Sequence, residues 1–186
     1  TRPFNDPRGA ALFVLDRVER NEATLDPFLD DAAPVLTNLS RRDRALFNQL
    51  VYGTLRRRLH LDAVIETYAD RPLSKISRPI LNILRIGLFQ ILFLDRIPPS
   101  AAVNTAVNLV RSSQTAKAAG FVNALLRNVL RNPGQFCLPN AQEAPVANIA
   151  IKHSFPYWLV SRWIERMGVG ETNRLCAAMN PIAPIT

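Results

Sequence analysis

Residues 80–94 read ILNILRIGLFQILFL. Ile80, Ile83, Leu84, Ile86, Leu88, Phe89, Ile91, Leu92 and Leu94 fall on every side of a helix rather than on one arc. A helix that is apolar nearly all round has to be enclosed by other helices. The stretch is about 15 residues long and carries Asn82, Arg85 and Gln90, whereas a bilayer span needs roughly 20 apolar residues. It therefore predicts the buried axis of a helical bundle rather than a membrane helix.

Helical punctuation recurs on both sides of it. Ser77 stands at the cap position before this helix, predicted over 78–95, and Pro98-Pro99 closes it. Upstream, LHLDAVIETYAD runs to Asp70, where Arg71-Pro72 stops it, and continues a helix predicted over 41–58. A short segment over 24–33 ends before Pro34. Asn5 or Asp6 caps a first helix that begins at Pro7, the favoured first position. Downstream, helices are predicted over 100–112 and 116–132. Nothing alternates with period two over a strand's length, so the predicted class is all-α. After Asn132 the texture changes. PGQFCLPNAQEAP (133–145) reads as a linker, followed by shorter helices holding both tryptophans and by PIAPIT at the end. The expected organisation is a helical domain over 1–132, then a Pro-rich linker and small helical unit over 133–186, too short for much core of its own.

Composition narrows the function. With 48% apolar and 20% charged residues the chain is globular, and 23 basic against 15 acidic residues give a net charge of +8. That balance favours polyanionic partners, RNA and DNA above all. Lys75, Lys117 and Lys152 are the only lysines, so the positive charge is almost all guanidinium, whose planar fork suits phosphates and base edges. Cys137 and Cys176 form no CxxC pair, and with His60 and His153 they make no metal-ligand spacing. They read as reduced thiols of a cytoplasmic protein. No secretory signal pattern opens the sequence.

The charge concentrates in SRRDRALFNQLVYGTLRRR (40–58), which has three arginines at each end of an apolar run. Ser40 can cap this helix by accepting from the Asp43 N–H. Leu46, Phe47, Leu50, Val51 and Leu55 gather on one arc, and Arg42, Gln49, Gly53 and Arg56 are expected on the opposite, outward side. Arg41, Arg42, Arg44, Arg56, Arg57 and Arg58 are then either a solvated rim or a grip on something anionic. Arg127 and Arg131 are four apart in FVNALLRNVLR, with Asn123 one turn before Arg127. Such a face could contact RNA through phosphate, 2′-OH and base edges, or be an ordinary polar helix face. Arg8, just inside the first helix, is either an exposed side chain or an anion contact near a positive helix end. No glycine-rich turn follows a strand, and no Ser, Cys or His sits in a nucleophile setting, so no catalytic residue and no metal ligand is assigned.

VYGTLRRRLHLDAVI (51–65), LRIGLFQILFLDRIPPSAAVNTAV (84–107) and GFVNALLRNVLR (120–131) follow one another in an order that resembles a known family. They look like the N-terminal region of bacterial 16S rRNA cytosine-C5 methyltransferases of the RsmB/Sun type, a region similar in fold to the all-helical RNA-binding module NusB. HSFPYWLVSRWIERMG and AAMNPIAPIT resemble the stretch leading into that enzyme's catalytic half. The resemblance implies a NusB-like bundle around a central helix, with 16S rRNA and the enzyme's own C-terminal methyltransferase domain as partners. It implies no cofactor in this chain and S-adenosylmethionine for a full-length parent. Ser100 departs from the family, which more often carries histidine there. Cys137 and Cys176 lie in QFCLP and NRLCA, not in the family's Pro-Cys and Thr-Cys settings, so they are not read as nucleophiles. The alternatives are a free-standing NusB-type antitermination factor and a purely structural interaction domain with an incidental arginine rim.

Overall fold

A computed structural model of the chain describes residues 6–21, 25–113 and 115–180. In order, its helices are α1 (Pro7–Asn21), α2 (Asp26–Leu36), α3 (Arg41–Arg56), α4 (Arg58–Tyr68), α5 (Arg78–Phe93), α6 (Pro99–Arg111), α7 (Ala119–Arg131), α8 (Pro145–His153) and α9 (Tyr157–Met179). No strand forms among the described residues, as the lack of period-two patterning leads one to expect.

α5 is the axis. Every residue from Ile80 to Gln90 is buried, and the helix packs on α1, α3, α4, α6 and α7. Enclosure stops at its last turn, where Leu92 is 40% exposed. Its buried polar residues are all satisfied from neighbouring helices or its own backbone. Arg85 donates from Nε and Nη2 to the two carboxylate oxygens of Asp62 (2.6 and 2.8 Å) and from Nη1 to Glu19 Oε1 (2.5 Å) and Asn82 Oδ1 (2.9 Å). Asn82 Nδ2 donates to Asp16 Oδ1 (2.8 Å) and Glu19 Oε2 (3.2 Å). Gln90 Nε2 returns to the Ile86 carbonyl (3.0 Å).

The helix ends follow the punctuation, with several corrections. Asp6 caps α1, its Oδ1 accepting from the N–H groups of Arg8 (2.9 Å) and Gly9 (3.1 Å), while Asn5 lies outside the described residues. α2 does not stop before Pro34 but contains it in its last turn. The helix predicted over 41–58 breaks at Arg57, so α3 and α4 are separate. Ser77 occupies the N-cap of α5, yet its side chain makes no capping bond there. Gly53 is not on an outward face. It is buried, and a Cβ there would lie 2.0 Å from Cζ of Phe89. The Phe89 ring, stacked on Phe93 with centroids 5.5 Å apart, reaches across the α3 backbone, and only glycine leaves room for it.

Beyond residue 132, α8 packs on α9 and on α4. Ile149, Ala150, Val160 and Cys176 form a second, small apolar cluster to which Leu59 of α4 is joined. α9 kinks at Gly168, whose φ of 80° is a left-handed conformation that favours glycine. Asn173 and Asn180, beyond the kink, close back on the buried His153: Nε2 lies 2.9 Å from Asn173 Oδ1, and Asn180 Nδ2 donates to the His153 carbonyl (2.9 Å). Where this unit meets α4, the His60 N–H donates to Ser154 Oγ (2.8 Å). The His60 ring lies edge-on to both Phe93 and Phe136, with its Nδ1 buried and unpartnered.

Two tests follow from this packing. Leu84 is fully buried, so Leu84→Ala should cost about 2–5 kcal/mol. Gly53→Ala should cost about 1–3 kcal/mol by overpacking against Phe89. Phe89→Leu should remove most of that second penalty in the double variant, read as non-additivity in urea unfolding. Additive losses would show that the ring does not set the α3–α5 approach.

Burial holds the His60 imidazole below its ordinary value, with nearby Arg57 acting the same way and the Ile151 backbone opposing. His153 is shifted in the same direction, chiefly by burial. A folded state that resists the proton is fully stable above the unfolded value, about 6.5 for histidine, and loses stability as pH falls through it. Asp16, whose carboxyl is raised by burial, acts with the opposite sign in the lower carboxylate range. Unfolding free energy should therefore decline from pH 7.5 to 5.5. His60→Phe should flatten that decline in part, leaving the share due to His153; an unchanged slope would rule out a neutral buried His60.

Candidate nucleic-acid interface

The α3 arginines owe their exposure to a local cap. Ser40 Oγ accepts from the Asp43 N–H (3.1 Å) and donates to Asp43 Oδ2 (2.7 Å), which occupies the acid of that turn. Arg41, Arg42 and Arg44 are exposed, and among the described residues no carboxylate pairs with them. At the other end of α3 the three arginines diverge. Arg56 is exposed. Arg57 lays its guanidinium over the Phe93 ring, 5.0 Å from the centroid, and burial followed by the charge of Arg56 pushes its pKa down. Arg58 pairs with Glu19 (3.1 Å) and Asp62 (3.9 Å), capping the cluster around Arg85.

Arg8 is half-buried. Its Nε donates to Gln90 Oε1 (2.7 Å), and burial lowers its pKa against the opposing fields of Asp6 and Asp43. The influence of Asp43 places Arg8 near the start of α3, since α1 and α3 pack together. Arg8 and the Arg41–Arg44 group are thus brought together at one end of the bundle.

On α7, Arg127 Nε donates to Asn123 Oδ1 (2.9 Å), as their four-residue spacing allows. Arg131 is exposed one turn further on. α7 rests on α4, α5 and α6, whereas α3 rests chiefly on α1 and α5, so the two basic groups stand on different parts of the surface around α5. Asn123 and Arg127 line an open groove of about 520 Å³ between α6 and α7, together with Asn104, Asn108, Arg111 and Gly120. The α6 residues were not picked out from the sequence. Their signal is there, since Asn104, Asn108 and Arg111 recur at four and three residues on one face.

These observations define a class: an all-helical bundle around one buried helix, with unpaired guanidinium groups on its surface and no described cluster of metal ligands. No described helix is long and apolar enough to cross a membrane. The NusB family model matches residues 5–131, and the chain belongs to the NusB family. The probable ribosomal RNA small subunit methyltransferase B of Synechocystis sp. is 34% identical over 173 residues, which is 93% of this chain and 38% of that protein. The protein of the same description from Bacillus subtilis is 32% identical over 171 residues, 91% of this chain and 37% of its own length. The chain thus spans under two-fifths of these relatives. Among solved structures, a chain of the crystal structure of a plectonemic RNA supercoil matches with a TM-score of 0.63 at 21% identity, over 70% of this chain and 96% of that one. A chain of the crystal structure of antitermination factors NusB and NusE in complex with dsRNA matches with a TM-score of 0.61 at 21% identity, over 68% and 95%. These likenesses carry the fold.

Proposed function

We propose that this chain is the RNA-holding part of a small-subunit rRNA (cytosine-C5) methyltransferase. The observation that carries the reading is the set of exposed, unpaired arginines on α3 in a chain whose curated relatives are named as rRNA methyltransferases. Arg41, Arg42, Arg44 and Arg56 take phosphates, and Asn123, Arg127 and Arg131 contact the backbone and base edges. Arg8, Arg57 and Arg58 each have one side engaged in the fold, so their share is to shape and charge the surface around the others. S-adenosylmethionine would belong to the parent's catalytic domain. The described residues offer no glycine-rich turn after a strand, because they form no strand. Holding rRNA here would orient one cytosine toward that domain, a matter of positioning rather than of bond chemistry in this chain.

The second reading is a free-standing antitermination factor, favoured by the likeness to the NusB structure. Against it stand α8 and α9, which lie beyond the residues that the family model matches.

Affinity for single-stranded RNA should fall with salt. A footprint of about four phosphates gives a log–log slope near −3, at roughly 0.7 per phosphate. Arg42→Glu and Arg56→Glu should weaken binding and flatten the slope without unfolding the chain, since both side chains are exposed. Lys75→Glu, on the 3-10 turn Leu73–Lys75, is the control of equal charge change. Equal losses in all three variants would reduce the attraction to bulk charge. No loss at Arg42 and Arg56 would overturn the assignment of phosphate contacts to α3.

A further inference from the structure

We infer that the α6–α7 groove is a base-reading subsite, which takes an unpaired, acceptor-rich base of single-stranded RNA, guanine before adenine. This rests on the RNA-holding role proposed above and adds to it a division of labour, with α3 for phosphates and the groove for bases.

The lining sets the chemistry. Asn104, Asn108 and Arg111 face Asn123 and Arg127 across the groove, and among the described residues no carboxylate lines it. A cationic ligand would meet only positive charge there. Small-molecule sites are lined predominantly by apolar and aromatic side chains, whereas this groove presents three amides and two guanidiniums beside only Val107, Ala119 and Gly120 among the described residues. Amides and guanidiniums are the groups that read base edges, through paired donors and acceptors in fixed geometry. No described aromatic ring lines the groove, so recognition runs along the base edge rather than by stacking.

The balance of donors in the lining sets the preference. Asn123 Oδ1 accepts from Arg127 Nε, which takes one of the amide oxygen's two lone pairs and holds the guanidinium in place. What remains toward the groove from α7 is mainly donors: the Asn123 amide N–H groups and the terminal nitrogens of Arg127, beside one lone pair of Asn123 Oδ1. Arg111 adds further donors from α6, and the exposed Asn104 and Asn108 each add an amide with two donors and an acceptor. Donors still outnumber acceptors on this lining, and the two guanidinium forks, Arg111 and Arg127, fit guanine, whose O6 and N7 both accept, better than adenine, which offers N7 beside an N6 donor. The backbone at Gly120 borders open space, since a Cβ placed there would meet nothing within 4 Å. The backs of both helices are committed to the core through Val103, Ala106, Val110, Val122 and Leu126, so the lining is held on rigid elements.

Fluorescence anisotropy with two twelve-nucleotide single-stranded RNAs tests this directly. One is all uridine with two central adenosines, and the other carries two central guanosines in their place. The chain should prefer the guanosine RNA by about fivefold or more, the low end of what one good bidentate contact discriminates. Arg127→Gln and the double variant Asn108→Ala/Asn123→Ala should bring the ratio close to one, with thermal midpoints unchanged and with most of the salt slope kept. Arg42→Glu should weaken both RNAs equally and preserve the ratio. Equal affinity of the unaltered chain for the two RNAs overturns the inference, as does a preference that survives both groove variants. Failure to bind either RNA at low salt instead overturns the RNA-holding role itself, and the inference with it.

Discussion

A buried guanidinium is the constraint on which the bundle depends. Arg85 sits in the middle of the enclosed helix with its side chain only 3% exposed, where an unpaired charge would cost several kcal/mol. Burial alone would lower its pKa, but Asp62 and Glu19 outweigh that and hold it above the ordinary value. The two oxygens of Asp62 come from α4 and Glu19 comes from α1, so one side chain fixes the rotation of α5 against two neighbours at once. Asn82, one turn earlier, repeats the link to α1 through Asp16 and Glu19. An apolar residue of similar volume could fill the same space at comparable stability. It could not select that rotation, because apolar contacts are non-directional.

The same cluster decides which surface arginines remain free. Glu19 and Asp62 reach beyond Arg85 to Arg58 and draw it onto the fold. Arg57 is drawn in by Phe93, and Arg8 by Gln90, again a residue of α5. Of the arginines at the two ends of α3, those left without a partner among the described residues are Arg41, Arg42, Arg44 and Arg56. The polar residues of the central helix thus shape the outer charge pattern from within.

This explains what could be read in advance and what could not. The apolar surround of residues 80–90 demands enclosure whatever the neighbours are, so the axis of the bundle was readable. So was the Ser40 cap, because its bond to the Asp43 N–H spans only three residues. The fates of Arg8, Arg57 and Arg58 were not, because their partners lie on other helices and helical spacing carries no record of them. Gly53 misled for the same reason. By angle it belongs beside Arg42 and Arg56, but the Phe89 ring arrives from another helix and covers it. The groove was readable only in half: each wall shows its own periodicity, while their facing is a product of packing.

The second unit adds a further consequence. α8 and α9 are held to α4 through Leu59 and through the bond from the His60 N–H to Ser154 Oγ, immediately after the Arg57 break. Ser154 adopts a left-handed conformation, unusual for a side chain-bearing residue, and the bond to α4 offsets that strain. The break between α3 and α4 is therefore where the arginine-bearing helix, the central-helix aromatic Phe93 and the C-terminal helices converge. A displacement of α8 and α9 would act first on Leu59 and His60, and through them on Arg57 and the end of α3. In the proposed role, that places Arg56, alone among the phosphate-holding arginines, about one turn from the bond to Ser154, while Arg41, Arg42 and Arg44 stand at the far end of α3. The Arg56 end of the RNA grip and the position of α8 and α9 then share a short mechanical path, made of packed side chains rather than of a flexible hinge.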